Sequence, residues 1–241
     1  MRILILNAGS SSLKSCLYEF TDPLPQTPPV PSWEAHAAWE EPFRNVKLRA
    51  KLRGWQVMDE RLDIHSEAAA AEHVFRMLWE VPARVVASPA EVDVVGHRVV
   101  HGGEKYCAPT LVTAEVKQVI DRLSVLAPEH NPPGVGGIET AQRIFKSRPQ
   151  VAVFDAAFHQ TMPKHATIYP GPYTWFERGI RRYGFHGISH RYCAARTSQI
   201  VGRNLESLRI VTCHLGHGCS LAAVVKVGVL TRRRASRRLK D

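Results

Sequence analysis

The first eighteen residues combine a short apolar strand, an abrupt turn of small hydroxyl residues and a second strand. Ile3 to Leu6 predict a buried strand, and Leu17 and Tyr18 resume an extended pattern. The turn between them contains Gly9, Ser10, Ser11, Ser12 and then Lys14. Hydroxyls and backbone N–H groups in such a turn can cradle an anion such as a phosphate, although Gly and Ser also favour ordinary polar hairpins. The stretch is not a Gly-x4-Gly-Lys-Ser/Thr loop, because that loop opens a helix.

Composition indicates a globular protein of the cytoplasm. The 241 residues allow one large domain or two modest ones, and 44% of them are apolar and 22% charged. No apolar run approaches the length of a membrane span, and the apolar stretch at the N-terminus is too short for a signal peptide. The five cysteines show no C-x-x-C spacing. We therefore expect a reduced, cytoplasmic protein with free thiols and no membrane partner.

The net charge of +10 is concentrated near the C-terminus. Residues 231–241 carry six basic residues against one acidic residue, which leaves the remaining body only mildly basic. Basic tails can bind nucleic acid, but this one has no interleaved aromatic residues. A mildly basic body suits an enzyme that handles anions. We therefore do not expect a nucleic-acid partner.

The order of patterns along the chain predicts an α/β fold. A proline-rich connection from Pro23 to Pro31 follows the first hairpin, and three or four antiparallel strands are expected before a helix that is capped by Ser66 and ends near Val81. Strands and helices then alternate. The predicted strands are Val92–Val95, Val151–Phe154, Ile210–Cys213 and Leu221–Lys226, and the predicted helices are Thr113–Leu126, Val135–Phe145 and Ser189–Val201, with Gly202 as a C-terminal cap.

A Gly-His-Arg-Val-Val-His-Gly-Gly stretch follows the predicted strand at 92–95. Arg98 could bind a carboxylate or a phosphate bidentately from the end of a strand, or pair with a structural carboxylate. His97 and His101 are equally compatible with hydrogen-bonded core or rim positions. His130 lies on a predicted loop between two helices, a location where functional residues are common.

Two later stretches have the composition of a phosphoryl-transfer site. Asp155 follows a predicted buried strand, where it could bind magnesium, orient a phosphoryl group or simply cap the next turn. Residues 181–192 are dense in arginine, histidine, aromatic residues and glycine, and such donors stabilise a planar phosphoryl group in a dry cleft. A zinc protease is not expected, because His-Glu-x-x-His is absent. The strand and Gly/Ser loop at 210–220 repeat the opening pattern, which predicts a second phosphate loop.

Together these motifs resemble the acetate kinase family of short-chain acyl kinases, within the sugar-kinase/Hsp70/actin superfamily. The resemblance rests on four segments in the family's order: Asn-Ala-Gly-Ser-Ser-Ser-Leu-Lys at 7–14, the segment at 96–103, Phe-Asp-Ala-Ala-Phe-His-Gln at 154–160 and Tyr-Gly-Phe-His-Gly-Ile-Ser-His at 183–190. It covers about residues 1–226 and implies a two-lobed, ribonuclease-H-like α/β fold with a mostly complete first lobe and a partial second lobe. The implied domains are residues 1–150, 151–230 and a basic tail at 231–241.

The resemblance also implies roles for individual residues. The family transfers the γ-phosphoryl group of ATP to acetate with Mg²⁺, reversibly giving acetyl phosphate and ADP, and its full-length members are homodimers. Asp155 and His186 would be catalytic, and Arg98 would bind the acyl or phosphoryl group. The remaining implied residues are Val100, His130 and Phe185 at the acyl substrate, Ser10, Ser11, Ser12, Lys14, His214, Gly216, His217 and Gly218 at the nucleotide phosphates, and Asn7 at the metal.

Three departures from the family pattern qualify this assignment. The chain is shorter than the family's roughly 400 residues and runs into arginine-rich sequence after residue 226, as a truncated or frameshifted member would. His217 stands where the family usually has Asn, and Glu129 replaces a Leu beside His130. An inactive remnant and a propionate or butyrate kinase therefore remain alternatives to an acetate kinase.

Overall fold

The computed structural model describes residues 1–9, 11–23, 25, 27–40, 44–216, 218–226 and 228–234. The chain forms two compact units. The first contains Met1–His101 and Pro109–Val153, and the second contains Gly102–Ala108 together with the chain from Phe154 onward. The first four residues of the predicted basic tail, 231–234, lie in a strand of the second unit.

An antiparallel meander opens the first unit. Its strands are β1 (Arg2–Gly9), β2 (Ser12–Glu19), β3 (Trp33–Glu40), β4 (Arg44–Leu52) and β5 (Trp55–Leu62). In the middle of β1 and β2 every second residue is buried, including Leu4 and Leu6 in β1 and Leu13 and Leu17 in β2, while the residues between them are less buried, as a sheet with one buried face requires. The β1–β2 register pairs Asn7 with Lys14 and Gly9 with Ser12, so the predicted tight hairpin is present.

Three further strands extend this sheet: β6 (Val94–Val99), β7 (Thr110–Leu111) and β8 (Gln150–Phe154). The order across all eight strands is β5-β4-β3-β2-β1-β6-β8-β7, and β6 runs parallel to β1. The helices are α1 (Glu67–Arg76), α2 (Ala114–Arg122) and α3 (Asn131–Phe145). Residues of α1 and α3 share one core with the sheet, in which Trp33, Phe75 and Leu4 are fully buried.

The second unit is built on a three-stranded sheet in the order β11-β10-β9. These strands are β9 (Arg209–Leu215), β10 (Cys219–Val225) and β11 (Gly228–Arg234). Its helices are the short α4 (Lys164–Thr167) and α5 (Thr174–Glu177) and the long α6 (Gly187–Val201), which ends at Gly202 in the left-handed conformation, with a φ of 64°. A small core around Ala194, Ala222 and Val224 joins α6 to the sheet.

The helices and strands largely match the sequence predictions, and two of the differences concern the strands β6 and β5. β6 starts two residues later than predicted and continues to Val99, so Arg98 lies within the strand and not after it. The strand β5 is not predicted, because its four apolar residues do not alternate regularly with its polar ones; the structure leaves most of its residues exposed. All five cysteines are free thiols. None of the helices in the described part of the chain has the length and apolar character needed to cross a bilayer.

Candidate active site

Arg98 and Asn7 meet in the first unit. They lie near the carboxyl ends of the parallel neighbours β6 and β1, where α/β sheets place ligand-binding residues. The Nη1 atom of Arg98 donates a hydrogen bond of 3.0 Å to the Oδ1 atom of Asn7. Both side chains are half-buried. Asn7 therefore helps to position the guanidinium of Arg98, a group of the kind that binds anions.

The predicted phosphate hairpin adjoins this pair. Ser12 is half-buried, and Ser11 and Lys14 are exposed on the surface of the first unit. The carbonyl of Ser11 accepts a 3.0 Å hydrogen bond from the backbone N–H of Trp39, which ties the turn to β3. Ser10 lies outside the described residues.

The residues implied at the acyl substrate in this unit differ in exposure. Val100 is buried, directly after β6, and His130 is half-buried at the start of α3. Glu129, which replaces a Leu of the family pattern, is exposed. His97 and His101 are core histidines. His97 lies 2.6 Å from the Oε1 atom of Gln150, and burial lowers the pKa of His97 to about 4.

Asp155 in the second unit accepts hydrogen bonds from the segment that carries His186. Asp155 directly follows β8 and is buried. Its Oδ2 accepts from the backbone N–H of His186 at 2.9 Å, its Oδ1 accepts from that of Ile188 at 3.4 Å, and its carbonyl accepts from that of Gly187 at 2.8 Å. These bonds hold His186 in the left-handed region, at a φ of 60° and ψ of 23°, a conformation that costs a non-glycine residue of order 1–3 kcal/mol.

The second predicted phosphate loop packs against His186. The rings of His186 and His214 stack with centroids 4.1 Å apart, and the Nδ1 atom of His214 lies 3.0 Å from the hydroxyl of Ser189. A Cβ atom on Gly218 would lie only 3.0 Å from Cε1 and Nε2 of His186, so a larger residue there would have to displace the ring by a few tenths of an ångström. Gly216 is exposed beside β9, and His217 lies outside the described residues. The second unit therefore brings Asp155, His186, His214 and Gly218 together.

Several residues near His186 were not singled out from the sequence. Ser220, His190 and Thr212 form a buried hydrogen-bonded group next to the His186 ring. Arg232, from the arginine-rich segment, places its guanidinium 5.8 Å from the ring centroid of Phe185. The spacing of Ser220 and Thr212 on antiparallel strands gives no local motif. Their proximity follows from the β9–β10 register, which pairs Thr212 with Ala222.

The side-chain oxygens considered for magnesium, those of Asn7 and Asp155, accept hydrogen bonds within the chain. No group of three His, Cys, Asp or Glu side chains suited to a metal is found among the described residues. The amide oxygen of Asn7 accepts from a guanidinium, and both carboxylate oxygens of Asp155 accept from backbone N–H groups. The assignment of Asn7 to a metal therefore stays a prediction.

Comparison with known proteins identifies the family. The sequence profile of the acetokinase family matches residues 2–230. The acetate kinase of Cyanothece sp. (strain PCC 7425 / ATCC 29141) is 50% identical over 224 residues, which cover 93% of this chain and 55% of that protein. The acetate kinase of Gloeobacter violaceus is 51% identical over 226 residues, covering 93% of this chain and 56% of that protein.

Solved structures agree with this match. The crystal structure of Porphyromonas gingivalis acetate kinase superposes with a TM-score of 0.84 at 34% identity and covers 96% of this chain and 56% of that one. A propionate kinase from Francisella tularensis subsp. tularensis SCHU S4 gives a TM-score of 0.83 at 34% identity, with 97% and 57% covered.

The fold is thus that of the solved short-chain acyl kinases, acetate and propionate kinase. The chain belongs to the acetokinase family. It spans about half the length of the curated relatives it matches.

Proposed function

We propose that this chain is an acetate kinase: it transfers the γ-phosphoryl group of ATP to acetate, giving acetyl phosphate and ADP, and catalyses the reverse reaction. The observation that carries the proposal is the identity of about 50% to acetate kinases over 93% of the chain. The resemblance implies that Arg98 binds the acyl or phosphoryl group and that His186 is catalytic. Each of these two residues has a defined hydrogen-bonded position within its unit.

The proposed chemistry needs charge stabilisation more than a strong base. Acetate is already ionised near neutral pH, so its oxygen can attack without losing a proton. The transferred phosphoryl group carries its charge on equatorial oxygens, and preorganised donors around it lower the barrier. We assign Arg98 to the carboxylate or phosphoryl oxygens and His186 to the transferring group. Asp155 orients the His186 segment through its three backbone contacts.

The remaining partners are proposed on family grounds. ATP or ADP would enter with Mg²⁺, which supplies charge neutralisation at the phosphates, and the two Gly/Ser loops would contact those phosphates. Convergence of Asn7, Arg98, Asp155 and His186 on one cleft, homodimer formation and a cytoplasmic location stay predictions. A propionate kinase is the second candidate, because the Francisella tularensis propionate kinase superposes almost as well as the acetate kinase structure.

The test is acyl phosphate formation by the purified chain with ATP and magnesium, trapped as the hydroxamate, with acetate, propionate and butyrate compared. We expect product with acetate and a loss of orders of magnitude in Arg98→Ala, because a charged donor at the transferred group contributes several kcal/mol. Arg76→Ala is the matched control, since Arg76, the last residue of α1, pairs with Glu80 on the surface of the same unit. A folded chain that forms no product would overturn the proposal, and a preference for propionate would redirect it to the second candidate.

A further inference from the structure

We propose that Ser220 links His186 and His190 in one hydrogen-bonded chain that holds the neutral His186 ring as its Nδ1–H tautomer. The relevance of this inference to catalysis rests on the proposed function, which assigns His186 to the transferring phosphoryl group. Ser220, His190 and Thr212 are positioning residues in this scheme, since they act on the reaction only through His186.

The contacts form a continuous line through the second unit. The Ser220 hydroxyl oxygen lies 2.8 Å from Nδ1 of His186 and 2.9 Å from Nε2 of His190. The other nitrogen of His190, Nδ1, lies 2.8 Å from the Thr212 hydroxyl oxygen. Ser220, His190 and Thr212 are all buried, with exposed fractions of 0%, 1% and 5%. Each of these distances is short enough for a well-formed hydrogen bond.

A single hydroxyl proton makes the two histidines interdependent. Ser220 can donate to only one of the two ring nitrogens and must accept from the other. When both rings are neutral, one therefore presents N–H to Ser220 and the other presents a lone pair. A change of tautomer in one ring requires a change in the other, because two facing lone pairs or two facing hydrogens lose a buried hydrogen bond.

Thr212 determines in which direction the hydrogen bonds of this group are donated. Its hydroxyl donates to the carbonyl of Ala222 across the β9–β10 ladder, at 3.4 Å, which leaves its oxygen to accept from His190 Nδ1–H. Burial lowers the pKa of His190, so this ring is neutral and its Nε2 carries a lone pair. The Ser220 hydroxyl donates to that lone pair, and its oxygen then accepts from His186 Nδ1–H.

The consequence concerns the opposite edge of the His186 ring. In the neutral ring, Nε2 carries a lone pair, and this edge faces Gly218 of the second predicted phosphate loop. A lone pair repels a phosphoryl oxygen, so His186 donates from Nε2 only as an imidazolium, which also supplies a positive charge. Within the described residues, charged or titratable groups that face the two rings include Asp155, His159, His214 and Arg232.

The experiment is nitrogen-15 NMR of the histidine rings in the ligand-free chain, at a pH where His186 is neutral. Long-range proton–nitrogen correlations distinguish the protonated from the unprotonated ring nitrogen, and His186→Gln assigns the signals. We expect the Nδ1–H form of His186 to exceed the Nε2–H form by at least about tenfold, since the minor form loses a buried hydrogen bond. A predominant Nε2–H form, or an even mixture, in the unaltered chain overturns the proposal without any further variant.

Two variants test the link itself. Ser220→Ala removes the bridge, and Thr212→Val removes the acceptor for His190 while it keeps the side-chain shape. Both should bring the two His186 tautomers closer to equal populations, although Thr212 acts on His186 only through His190 and Ser220. Ser189→Ala is the matched control, because Ser189 bonds His214 and lies outside the linked group. A His186 tautomer that is unchanged in folded Thr212→Val overturns the proposed link.

These measurements are independent of catalysis. They require neither nucleotide nor acetate, so an inactive chain with the expected tautomer would refute the proposed function and leave the structural inference standing. An active chain with the opposite tautomer would do the reverse. In an active chain, Ser220→Ala should lower kcat more than it changes KM for acetate, because the orientation of a transition-state donor is lost.

Discussion

At the residue scale, the carboxylate of Asp155 fixes the position of the segment that carries His186. It accepts backbone hydrogen bonds from His186 and Ile188 and is itself buried. A carboxylate that accepts such N–H groups at the start of a helix is also favoured by the helix dipole of α6. The catalytic role implied by the resemblance and this structural role therefore fall on the same side chain.

Asn7 and Arg98 should be energetically coupled. A hydrogen bond to a charged group contributes about 1.5–3 kcal/mol, and this pair is half-buried. A double-mutant cycle of Asn7→Ala and Arg98→Ala, followed by urea unfolding, should give a coupling of about 1 kcal/mol. The control cycle pairs Asn7→Ala with Arg49→Ala, since Arg49 bonds Asp59 two strands beyond β2. Strict additivity for Asn7 and Arg98 would contradict the contact.

His97 should make the stability of the chain depend on pH. Burial lowers the pKa of His97 in the folded state to about 4, below the ordinary histidine value of 6.5 that applies to the unfolded chain. The unfolded state therefore binds more protons between these values, and the stabilisation is present above pH 6.5 and is lost as the pH falls towards 4. The contribution is about 3 kcal/mol, which His97→Gln should remove from the difference between unfolding at about pH 7.5 and about pH 4.

His159 contributes in the same direction, because burial lowers its pKa to about 4 as well. The pH dependence should therefore be reduced and not abolished in His97→Gln. His65→Gln serves as the control, since His65 is exposed on the surface. An unchanged pH dependence in His97→Gln would show that His97 is not held neutral by burial.

The residues found from the sequence are those next to a strand end or a turn. The sequence identifies Arg98, Asp155 and Gly218, because each is a charged residue or a glycine that interrupts an apolar pattern near the end of a strand. Ser220 and Thr212 are not identified, because each sits inside a strand where hydroxyl residues are common. Only the pairing of β9 with β10 and the packing of α6 on that sheet bring them to His186 and His190.

At the element scale, the contact between Asp155 and the start of α6 depends on a missing side chain. A Cβ atom on Gly187 would lie 2.2 Å from the carbonyl oxygen of Asp155 and 3.1 Å from Cβ of Phe158. Neither neighbour is the end of a flexible side chain. The first turn of α6 can therefore approach Asp155 this closely only with glycine at this position.

Gly187→Ala should destabilise the second unit by about 2 kcal/mol, as overpacking against backbone typically does. Gly136→Ala is the matched control, because a Cβ atom there meets nothing within 4 Å and alanine favours a helix interior such as α3. Thermal unfolding measures both. Equal stabilities of the two variants would contradict the close approach.

The elements that sequence predicts well are those that bury a regular apolar pattern. The helix capped by Ser66 is an example: the Ser66 hydroxyl accepts from Ala69 N–H at 3.2 Å, and Ala70 and Val74 are buried. The predicted end near Val81 is too late, because Met77 and Leu78 continue the apolar stripe although α1 ends at Arg76. Met77 and Leu78 are buried within the turn that follows α1. The spacing of apolar residues cannot distinguish such a turn from one more helical turn.

At the scale of the whole molecule, one face of the three-stranded sheet is left apolar and exposed. Val211, Leu215 and Leu221 are 66%, 75% and 39% exposed, and the β9–β10 register places Val211, Cys213, Leu215 and Leu221 on the same face. The opposite face carries Ala222 and Val224 and is buried under α6. Contiguous exposed apolar surface of this kind promotes association with other molecules.

The double variant Val211→Lys, Leu215→Lys should reduce association of the chain with itself. We expect its binding of a hydrophobic fluorescent dye to fall to about half and its sedimentation to shift towards the monomer, because charges interrupt the patch. Val125→Lys is the control, as Val125 is a highly exposed valine of the other unit. An equal effect of the control would show that added charge alone, and not this face, is responsible.

The second unit is assembled from two separate stretches of the chain, and this bears on how fragments can be prepared. The short stretch Gly102–Ala108 depends on residues from 154 onward: Tyr106 stacks on Phe154 at 5.3 Å, Gly103 accepts from Gln160 at 2.8 Å, and Glu104 pairs with Arg181. A protein expressed as residues 1–150 would carry this stretch without the surface it packs on, and one beginning at 151 would lack a piece of its own core. A fragment that matches the first unit would instead join His101 directly to Pro109 and continue to Val153.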